Sequence, residues 1–253
     1  MTYRETPPPP DLAPWVECLW SWRSDGPGEG LDRIVPDGRM EILAHLGEPY
    51  EEERDGAFHR QPRVLAAGQL TRPLVLRSPG PAHVVSARLK PDGGPVFLPG
   101  AMDAFTDRRT ALSGEWTSID SEAALVAALR RAANPRRWDA MVSSWLEALR
   151  ADPARSVGEL ARIHGLSERQ GQRRFLAAVG VSPRTFVSVL RFRRAFDEIE
   201  RAPGGRWVEA ALASGYFDQP QLARDFQRFL GCSATAFLAE RRGLAAPLSA
   251  GRD

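Results

Sequence analysis

The chain has 253 residues, of which 43% are hydrophobic, and its formal net charge is +2. That length predicts one large or two modest domains, and this hydrophobic content can supply real cores. The two cysteines, Cys18 and Cys232, exclude a disulfide framework and a cysteine-based metal site. Residues 2–11 are polar and proline-rich, and no apolar run approaches membrane-spanning length, so we expect a soluble, cytoplasmic protein without a membrane partner.

The N-terminal part alternates short apolar runs with turn signals. Pro-Asp-Gly at 36–38 and Pro-Asp-Gly-Gly at 91–94 are the clearest turns. Such spacing is typical of an antiparallel β sandwich or barrel. The apolar runs lie at 16–22, 40–46, 64–67, 74–76 and 84–89.

Four side chains of these strands are candidate contacts for a small-molecule effector. Trp20 and Trp22 alternate along one strand and so share a face, where they would form an aromatic wall; core packing explains the same pattern. Glu41 and Arg88 lie in predicted strands and could orient a polar effector, or serve the structure alone. The histidines of this part are single and scattered, so we predict no metal and no cofactor.

Two helices are predicted after the β-rich part. The first, at 121–133, is stopped by Asn134-Pro135, and we interpret it as a connector or dimerisation element. The second, at 136–150, opens the C-terminal domain. Its apolar face is formed by Trp138, Met141, Val142, Trp145 and Leu149.

The segment from 172 to 237 contains one pattern twice. Arginine-x-phenylalanine is followed after four residues by glycine-x-serine, and after three more by phenylalanine. The copies begin at Arg173 and Arg224, an offset of 51 residues. A period of this length marks one structural unit used twice.

Each copy reads as a helix-turn-helix unit. Ser167 caps a helix over 168–179, and Asp218 caps a helix over 219–230. A third helix, over 183–200, is predicted to link the units and to contact both. The opening helices of the two units are expected after Ser156 and over 208–214.

This pattern resembles the C-terminal DNA-binding domain of the AraC/XylS transcriptional regulators, over roughly 136–242. The resemblance implies two helix-turn-helix units joined by one long helix. In the N-terminal part, residues 36–42 and 80–98 resemble the β-rich, loosely cupin-like sensor domains found upstream of such domains. The residues that match the C-terminal domain of the family form two signatures. They are Gly180-Val181-Ser182-Pro183, Phe186, Arg191 and Ala195, and then Gly215-Tyr216-Phe217-Asp218-Gln219, Arg224, Phe226 and Gly231.

Three residues depart from the family pattern. Gly171 replaces an apolar residue and is expected to loosen its helix by ~1 kcal/mol relative to alanine. Pro220 donates no backbone hydrogen bond, and Ala234 replaces a proline.

The predicted fold class is α+β with two domains. We expect a β sandwich or barrel for sensing or oligomerisation over 1–112, and a connector helix over 113–134. An all-α AraC-type domain over 135–243 and a disordered tail over 244–253 complete the predicted organisation.

The solvent faces of the two recognition helices predict the DNA contacts. Arginine bonds guanine bidentately and glutamine bonds adenine, whereas phosphate contacts add affinity without specificity. Arg174 and Arg184 are the candidate phosphate contacts. Salt bridges within the domain are the alternative role for the repeated Arg173 and Arg224. The candidate base contacts are Arg169, Gln172, Arg173, Gln219, Gln221 and Arg224; the resemblance implies the same role for all but Gln221.

These observations favour a sequence-specific DNA-binding transcriptional regulator, and not an enzyme. Between positions 168 and 194 the chain carries seven arginines and one acid, the charge pattern of a polyanion partner. The predicted partners are double-stranded DNA, a small-molecule effector, RNA polymerase and a second copy of the chain. No metal cluster, nucleophile elbow or phosphate loop is present. Two alternatives stay open: a β-barrel binding protein or enzyme with a helical appendage, and a regulator-like protein that has lost DNA binding.

Overall fold

The structure is a computed structural model that describes residues 1–28, 30–201, 215–216, 218–233 and 236–237. Several sequence predictions fall outside the described residues. They concern the opening helix of the second unit at 208–214, Phe217, Ala234 and the tail at 244–253.

Two antiparallel sheets form the N-terminal domain. The larger sheet has the strand order β1-β2-β9-β4-β7-β10, and the smaller has the order β3-β8-β5-β6. The larger contains β1 (Thr2–Thr6), β2 (Val16–Ser24), β4 (Glu41–His45), β7 (Val64–Ala67), β9 (Ala82–Leu89) and β10 (Arg109–Ala111). The smaller contains β3 (Leu31–Ile34), β5 (Glu51–Arg54), β6 (Ala57–Arg60) and β8 (Leu74–Arg77).

Strand alternation divides the larger sheet into two faces. Leu19, Ile42 and Ala87 are buried in the main core on one face. Trp20 and Trp22 lie on the opposite face, in a second apolar cluster shared with the smaller sheet. The fold class predicted from sequence is therefore confirmed for this domain.

The main core is completed by helix α2 (Glu122–Ala132), which follows a short helix α1 (Gly94–Phe97). Leu125 and Leu129 of α2 are fully buried in the same core as the larger sheet. The helix interpreted as a connector or dimerisation element thus packs onto the β domain. The domain boundaries at 112 and 134 stay a prediction.

Helix α3 (Ala140–Ala151) begins four residues later than the sequence predicted. The expected start at Arg136 is wrong because Pro135–Arg137 forms a separate 3₁₀ turn and Trp138 is extended. Asp139 is the actual N-cap, since its carboxylate accepts hydrogen bonds from the backbone N–H groups of residues 141 and 142.

Among the described residues, the remaining helices carry the repeated pattern. They are α4 (Val157–Ile163), α5 (Glu168–Val179), α6 (Pro183–Arg201) and α7 (Gln219–Leu230). Helix α6 is continuous and packs into both units, as predicted. Phe186 and Val187 lie in the first-unit cluster, whereas Val189 and Phe192 lie in the second-unit cluster.

Within the described ranges, no single helix is long and apolar enough to cross a membrane. Only Glu168–Val179 taken together with Pro183–Glu198 meets that test, and the two are bent by 55°.

Candidate nucleic-acid interface

The first helix-turn-helix unit is fixed by its caps and by a close helix crossing. Ser156 caps α4, and Ser167 caps α5 in a capping box with Gln170. Gly165 takes a φ of 69° in the turn between the helices, a conformation that favours glycine. Phe175 is fully buried and anchors α5 to the rest of the unit.

Gly171 has the opposite role to the one expected from helix propensity. It is buried, and a Cβ added there would lie 2.7 Å from the Cβ of Ala161 on α4. A methyl group at 171 would therefore force the two helices apart. The expectation that glycine merely loosens this helix is wrong, because the crossing leaves no room for a side chain.

Three of the predicted base contacts lie on the outward face of α5. Arg169, Gln172 and Arg173 are all exposed. Gln172 donates a hydrogen bond from Nε2 to Glu168 Oε1 at 2.9 Å. Neither arginine forms an ion pair with any residue that the structure describes, so both guanidinium groups face solvent.

Helix α7 repeats the form of α5 at the predicted offset. Both helices have 12 residues, and each ends at a left-handed glycine, Gly180 with φ 92° and Gly231 with φ 78°. Phe226 is buried at the place of Phe175 in the first unit. The repeat therefore produces two equivalent helices with equivalent anchors.

The predicted contacts on α7 are described in part. Arg224 is exposed and has no ion pair among the described residues. Gln221 is half-buried, and its backbone N–H donates to the Asp218 carboxylate at 2.7 Å. The side chain of Gln219 lies outside the described residues. The salt-bridge alternative for Arg173 and Arg224 thus has no support in the described part of the domain.

Pro220 is accommodated by its position. It occupies the first turn of α7, where backbone N–H groups have no partner within the helix. Asp218 satisfies the next N–H, that of Gln221. The missing donor at Pro220 therefore leaves no helical hydrogen bond unmade.

The two candidate phosphate contacts differ in their surroundings. Arg184 is exposed near the start of α6. Arg174 forms a bidentate ion pair with Asp139, the N-cap of α3, with Nη2 and Oδ1 3.1 Å apart. Hydrogen bonding to this carboxylate raises the pKa of Arg174. Asp139 and Arg174 line an open groove of about 460 Å³ beside α5, together with Leu166, Gln170, Arg173 and Ala177.

Asp139 was missed by the sequence analysis. An aspartate directly before an apolar helix is a recognised N-cap signal, but the predicted start at 136 placed Asp139 inside the helix. Arg193 is half-buried and so does not belong to the exposed arginine stripe that the sequence predicts. It pairs with Asp197 one turn along α6, at 2.8 Å.

Three of the four side chains proposed to contact an effector come together on the larger sheet. Glu41 Oε1 accepts hydrogen bonds from Trp20 Nε1 at 3.0 Å and from Arg88 Nε at 3.1 Å. Trp22 lies on the same face of the same strand but is buried against Tyr50 instead. The cluster therefore contains a cation, an anion and an indole ring.

Strand β1 adds two residues that the sequence analysis missed. Glu5 approaches Arg88 at 3.7 Å, and the Tyr3 and Trp20 ring centroids are 6.2 Å apart. This polar edge strand, followed by four prolines at 7–10, shows no apolar alternation that would reveal it.

Burial and charge both act on this cluster. Burial raises the pKa of Glu41, although the neighbouring Arg88 opposes the shift. Burial acts to lower the pKa of Arg88, but the carboxylates of Glu41 and Asp37 outweigh it and raise that pKa. Cys18, beside Arg88, has its pKa raised by burial to about 12. The thiol is thus protonated, and at Glu41 burial outweighs the attraction of Arg88.

One capped helix-turn-helix unit and a second capped recognition helix share helix α6 and contact a β domain, the arrangement of a two-domain protein with helix-turn-helix elements. Residues 160–240 match a family model described as a helix-turn-helix domain. Residues 4–111 match one described as a domain of unknown function, DUF6597. The C-terminal match confirms the predicted AraC-type helix-turn-helix domain, the DNA-binding module of transcriptional regulators.

Solved structures of ToxT from Vibrio cholerae are similar to most of the chain. One has 10% sequence identity and a TM-score of 0.48, covering 87% of this chain and 98% of that one. Another, bound to an unsaturated fatty acid, has 12% identity and a TM-score of 0.44, covering 90% and 96%. No curated protein sequence matches the chain.

Proposed function

We propose that the regulator reads two blocks of duplex DNA by inserting α5 and α7 into successive major grooves. The repeated geometry carries this proposal: two 12-residue helices at equivalent positions have the same glycine ending and the same buried phenylalanine. Both also expose an arginine at the same place, Arg173 and Arg224. One continuous helix, α6, packs against both units and limits their independent movement.

The chemistry of the outward faces suits base reading. Arginine can donate two hydrogen bonds to guanine O6 and N7, with ~1–3 kcal/mol of discrimination against a wrong base. Arg169, Arg173 and Arg224 supply this group, whereas Gln172 supplies the amide that pairs with adenine. Gln219 and Gln221 are proposed to read bases at the start of α7.

The phosphate contacts are proposed for Arg184 and Arg174. Arg184 is exposed beside the first recognition helix, so it can hold the backbone without reading sequence. Arg174 must share its guanidinium with Asp139 or leave that pair when DNA binds.

Two reading helices that dock on one face of DNA require a defined spacing. The two contacted blocks are expected about one helical turn apart, ~10 base pairs. An operator obtained by selection from random duplexes should therefore contain two conserved blocks at this separation.

The test is to change Arg169 and Arg224 to alanine separately and to measure affinity for operators altered block by block. Each variant should lose preference at one block, by ~1–3 kcal/mol, and keep it at the other. Arg77→Ala is the matched control, because Arg77 is an arginine of the smaller sheet that pairs with Glu51. A uniform loss of affinity on every operator would mean that these arginines contact only the backbone.

The N-terminal domain is proposed to modulate DNA binding through the cluster of Trp20, Glu41 and Arg88. A paired cation and anion beside an indole ring can orient a polar small molecule that also has an apolar surface. Trp22 contributes to the apolar surroundings on the same face. RNA polymerase and a second copy of the chain stay predicted partners.

This modulation can be tested by removing both charges at once. Glu41→Gln with Arg88→Met avoids leaving one buried charge without its partner. We expect the DNA affinity of this variant to stay near that of wild type and to lose its response to a compound that shifts the wild-type affinity. The matched control is Glu51→Gln with Arg77→Met, a charged pair on the other sheet. A compound whose effect survives in the first variant and disappears in the second would place the effector elsewhere.

A further inference from the structure

The β domain touches both recognition helices at equivalent positions of the repeat. Gln69 Nε2 donates a hydrogen bond to the carbonyl oxygen of Val179, the last residue of α5, at 2.7 Å. Arg33 Nη1 donates to the carbonyl oxygen of Leu230, the last residue of α7, at 2.6 Å. Val179 and Leu230 are separated by 51 residues, the offset of the repeat.

The residues that follow each helix are held as well. Thr106 Oγ1 donates to the carbonyl oxygen of Gly180 at 2.5 Å. At the equivalent Gly231, the Cγ of Pro73 lies 3.2 Å from the place of an added Cβ. Both helix ends therefore abut the β domain.

These contacts satisfy groups that a helix leaves open. The last four carbonyl groups of an α-helix have no partner within it, and that end carries partial negative charge. Gln69, which is 1% exposed, supplies a buried amide donor to α5. Arg33 supplies a cation to α7, where its charge complements the helix dipole. The β domain thus provides the C-terminal caps of both reading helices.

The segments that carry these caps are tied to neighbouring backbone by hydrogen bonds. The loops that carry Gln69 and Thr106 are joined by a hydrogen bond from Asp107 N to Gln69 O at 2.9 Å and by one from Thr71 N to Asp107 Oδ1 at 2.8 Å. At Gly68 an added Cβ would lie 1.8 Å from the carbonyl oxygen of Phe105. The two loops are therefore so close that a side chain at position 68 has no room. Arg33 belongs to β3, which is paired along its length with β8.

A third contact reaches the helix that joins the units. At Gly38, in the turn between β3 and β4, an added Cβ would lie 3.2 Å from Phe186 and 3.8 Å from Val189 of α6. Phe186 belongs to the first-unit cluster and Val189 to the second. The β domain therefore contacts the joint as well as both reading helices.

We propose that Arg33, Gln69 and Thr106 are positioning residues that set the separation of the two reading helices, and thereby the number of base pairs between the two operator blocks. This inference rests on the proposed two-helix reading. None of the three residues needs to touch DNA; they act through the ends of α5 and α7.

The test is a spacing series. Operators are made with the two blocks at the selected separation and with one or two base pairs inserted or removed between them. Each base pair rotates the second block by about 35° and moves it by ~3.4 Å. Wild type should bind the selected spacing best and lose affinity steeply on both sides.

Arg33→Ala and Gln69→Ala should each flatten this profile. We expect the ratio between the best spacing and the next to fall about fivefold or more, the lower end of coupling between sites. Thr106→Val, which removes one hydroxyl at nearly constant shape, should act in the same direction and is the variant to use if Gln69→Ala fails to fold. Arg33→Lys keeps a cationic donor and should preserve more of the profile than alanine does. Arg77→Ala, on β8 of the same sheet, should leave the profile unchanged.

Two outcomes would overturn the inference: an unchanged profile in the Arg33 and Gln69 variants, or an equal loss of affinity at every spacing, which a merely structural role would produce. The same operators report on the proposed function separately. If wild type ignores substitutions in one block, two-helix reading has failed and the inference fails with it. If both blocks matter but spacing preference is untouched by the variants, only the inference fails.

Discussion

The two helix-turn-helix units present similar reading helices on different supports. Gly171 allows the close crossing of α4 and α5, whereas the equivalent residue in the second unit is the buried Leu222. Arg174 pairs with Asp139, but its equivalent, Asp225, carries the opposite charge. The repeat thus preserves helix length, ending and anchor while the packing beneath has diverged. Each unit can therefore be weakened by its own substitutions.

The largest effect is expected from the phenylalanines of α6. Phe192 is fully buried, with its ring centroid 5.1 Å from that of Phe226 and 5.3 Å from that of Phe229. Phe192→Ala should cost ~3–5 kcal/mol of unfolding free energy, measured by urea denaturation, because it leaves a cavity in the second unit. Recognition of the operator block read by α7 should weaken before recognition of the block read by α5.

Phe186→Ala is the matched change in the first unit. Phe186 is also fully buried and lies 5.8 Å from Phe175. The Phe186→Ala change should weaken recognition of the block read by α5. Equal loss of both blocks in both variants would show that the units are not separable.

Gly171→Ala should destabilise the first unit by ~1–3 kcal/mol, the usual cost of overpacking a core. Helix propensity alone predicts the opposite sign, a gain of ~1 kcal/mol. Adding Ala161→Gly removes the facing Cβ, so the double variant should recover part of the lost stability. Thermal or urea denaturation of all four proteins checks the cycle. A Gly171→Ala protein more stable than wild type would refute the close crossing.

Removing either N-cap should lower the free energy of unfolding by ~1 kcal/mol, but the two losses should respond differently to salt. Ser167 is neutral, whereas Asp218 also places a negative charge at the start of α7. We expect the loss in Asp218→Ala to shrink at high salt and the loss in Ser167→Ala to stay constant. Asp218→Asn keeps a capping oxygen without the charge and serves as the control. Identical salt dependence in both alanine variants would contradict a charge contribution at α7.

The smallest effect on stability is expected for Asp139→Asn. Asparagine keeps the cap of α3 but weakens the partly exposed pair with Arg174, which is worth ~0–1 kcal/mol. Release of Arg174 should increase DNA affinity, and the slope of log affinity against log salt should steepen by about one. An unchanged salt slope would mean that Arg174 makes no phosphate contact.

Local signals made much of the DNA-binding domain predictable. The bounds of α5 and α7 follow from Ser167, Asp218 and the two glycines that end them, because caps act over only a few residues. The close crossing at Gly171 could not be predicted, since glycine there is explained by a distance to another helix and not by its own helix. The start of α3 was misplaced because the periodic pattern extends through Trp138 into a 3₁₀ turn.

The β domain was predictable in outline only. Alternation along β2 correctly placed Trp20 and Trp22 on one face, and Glu41 and Arg88 meet because antiparallel pairing sets them side by side. The contact of Arg33 with α7 joins residues 197 positions apart. No spacing within the sequence indicates it, since it depends on how the β domain meets the helical domain.

Methylation interference on the selected operator tests the central claim most directly. Methylating guanine N7 blocks a major-groove contact that bidentate arginine requires. For wild type we predict two clusters of interfering guanines on one face of the duplex, about one helical turn apart. Arg169→Ala should abolish one cluster, and Arg224→Ala the other. A single cluster for wild type, or the loss of both clusters in either variant, would contradict reading by two helices.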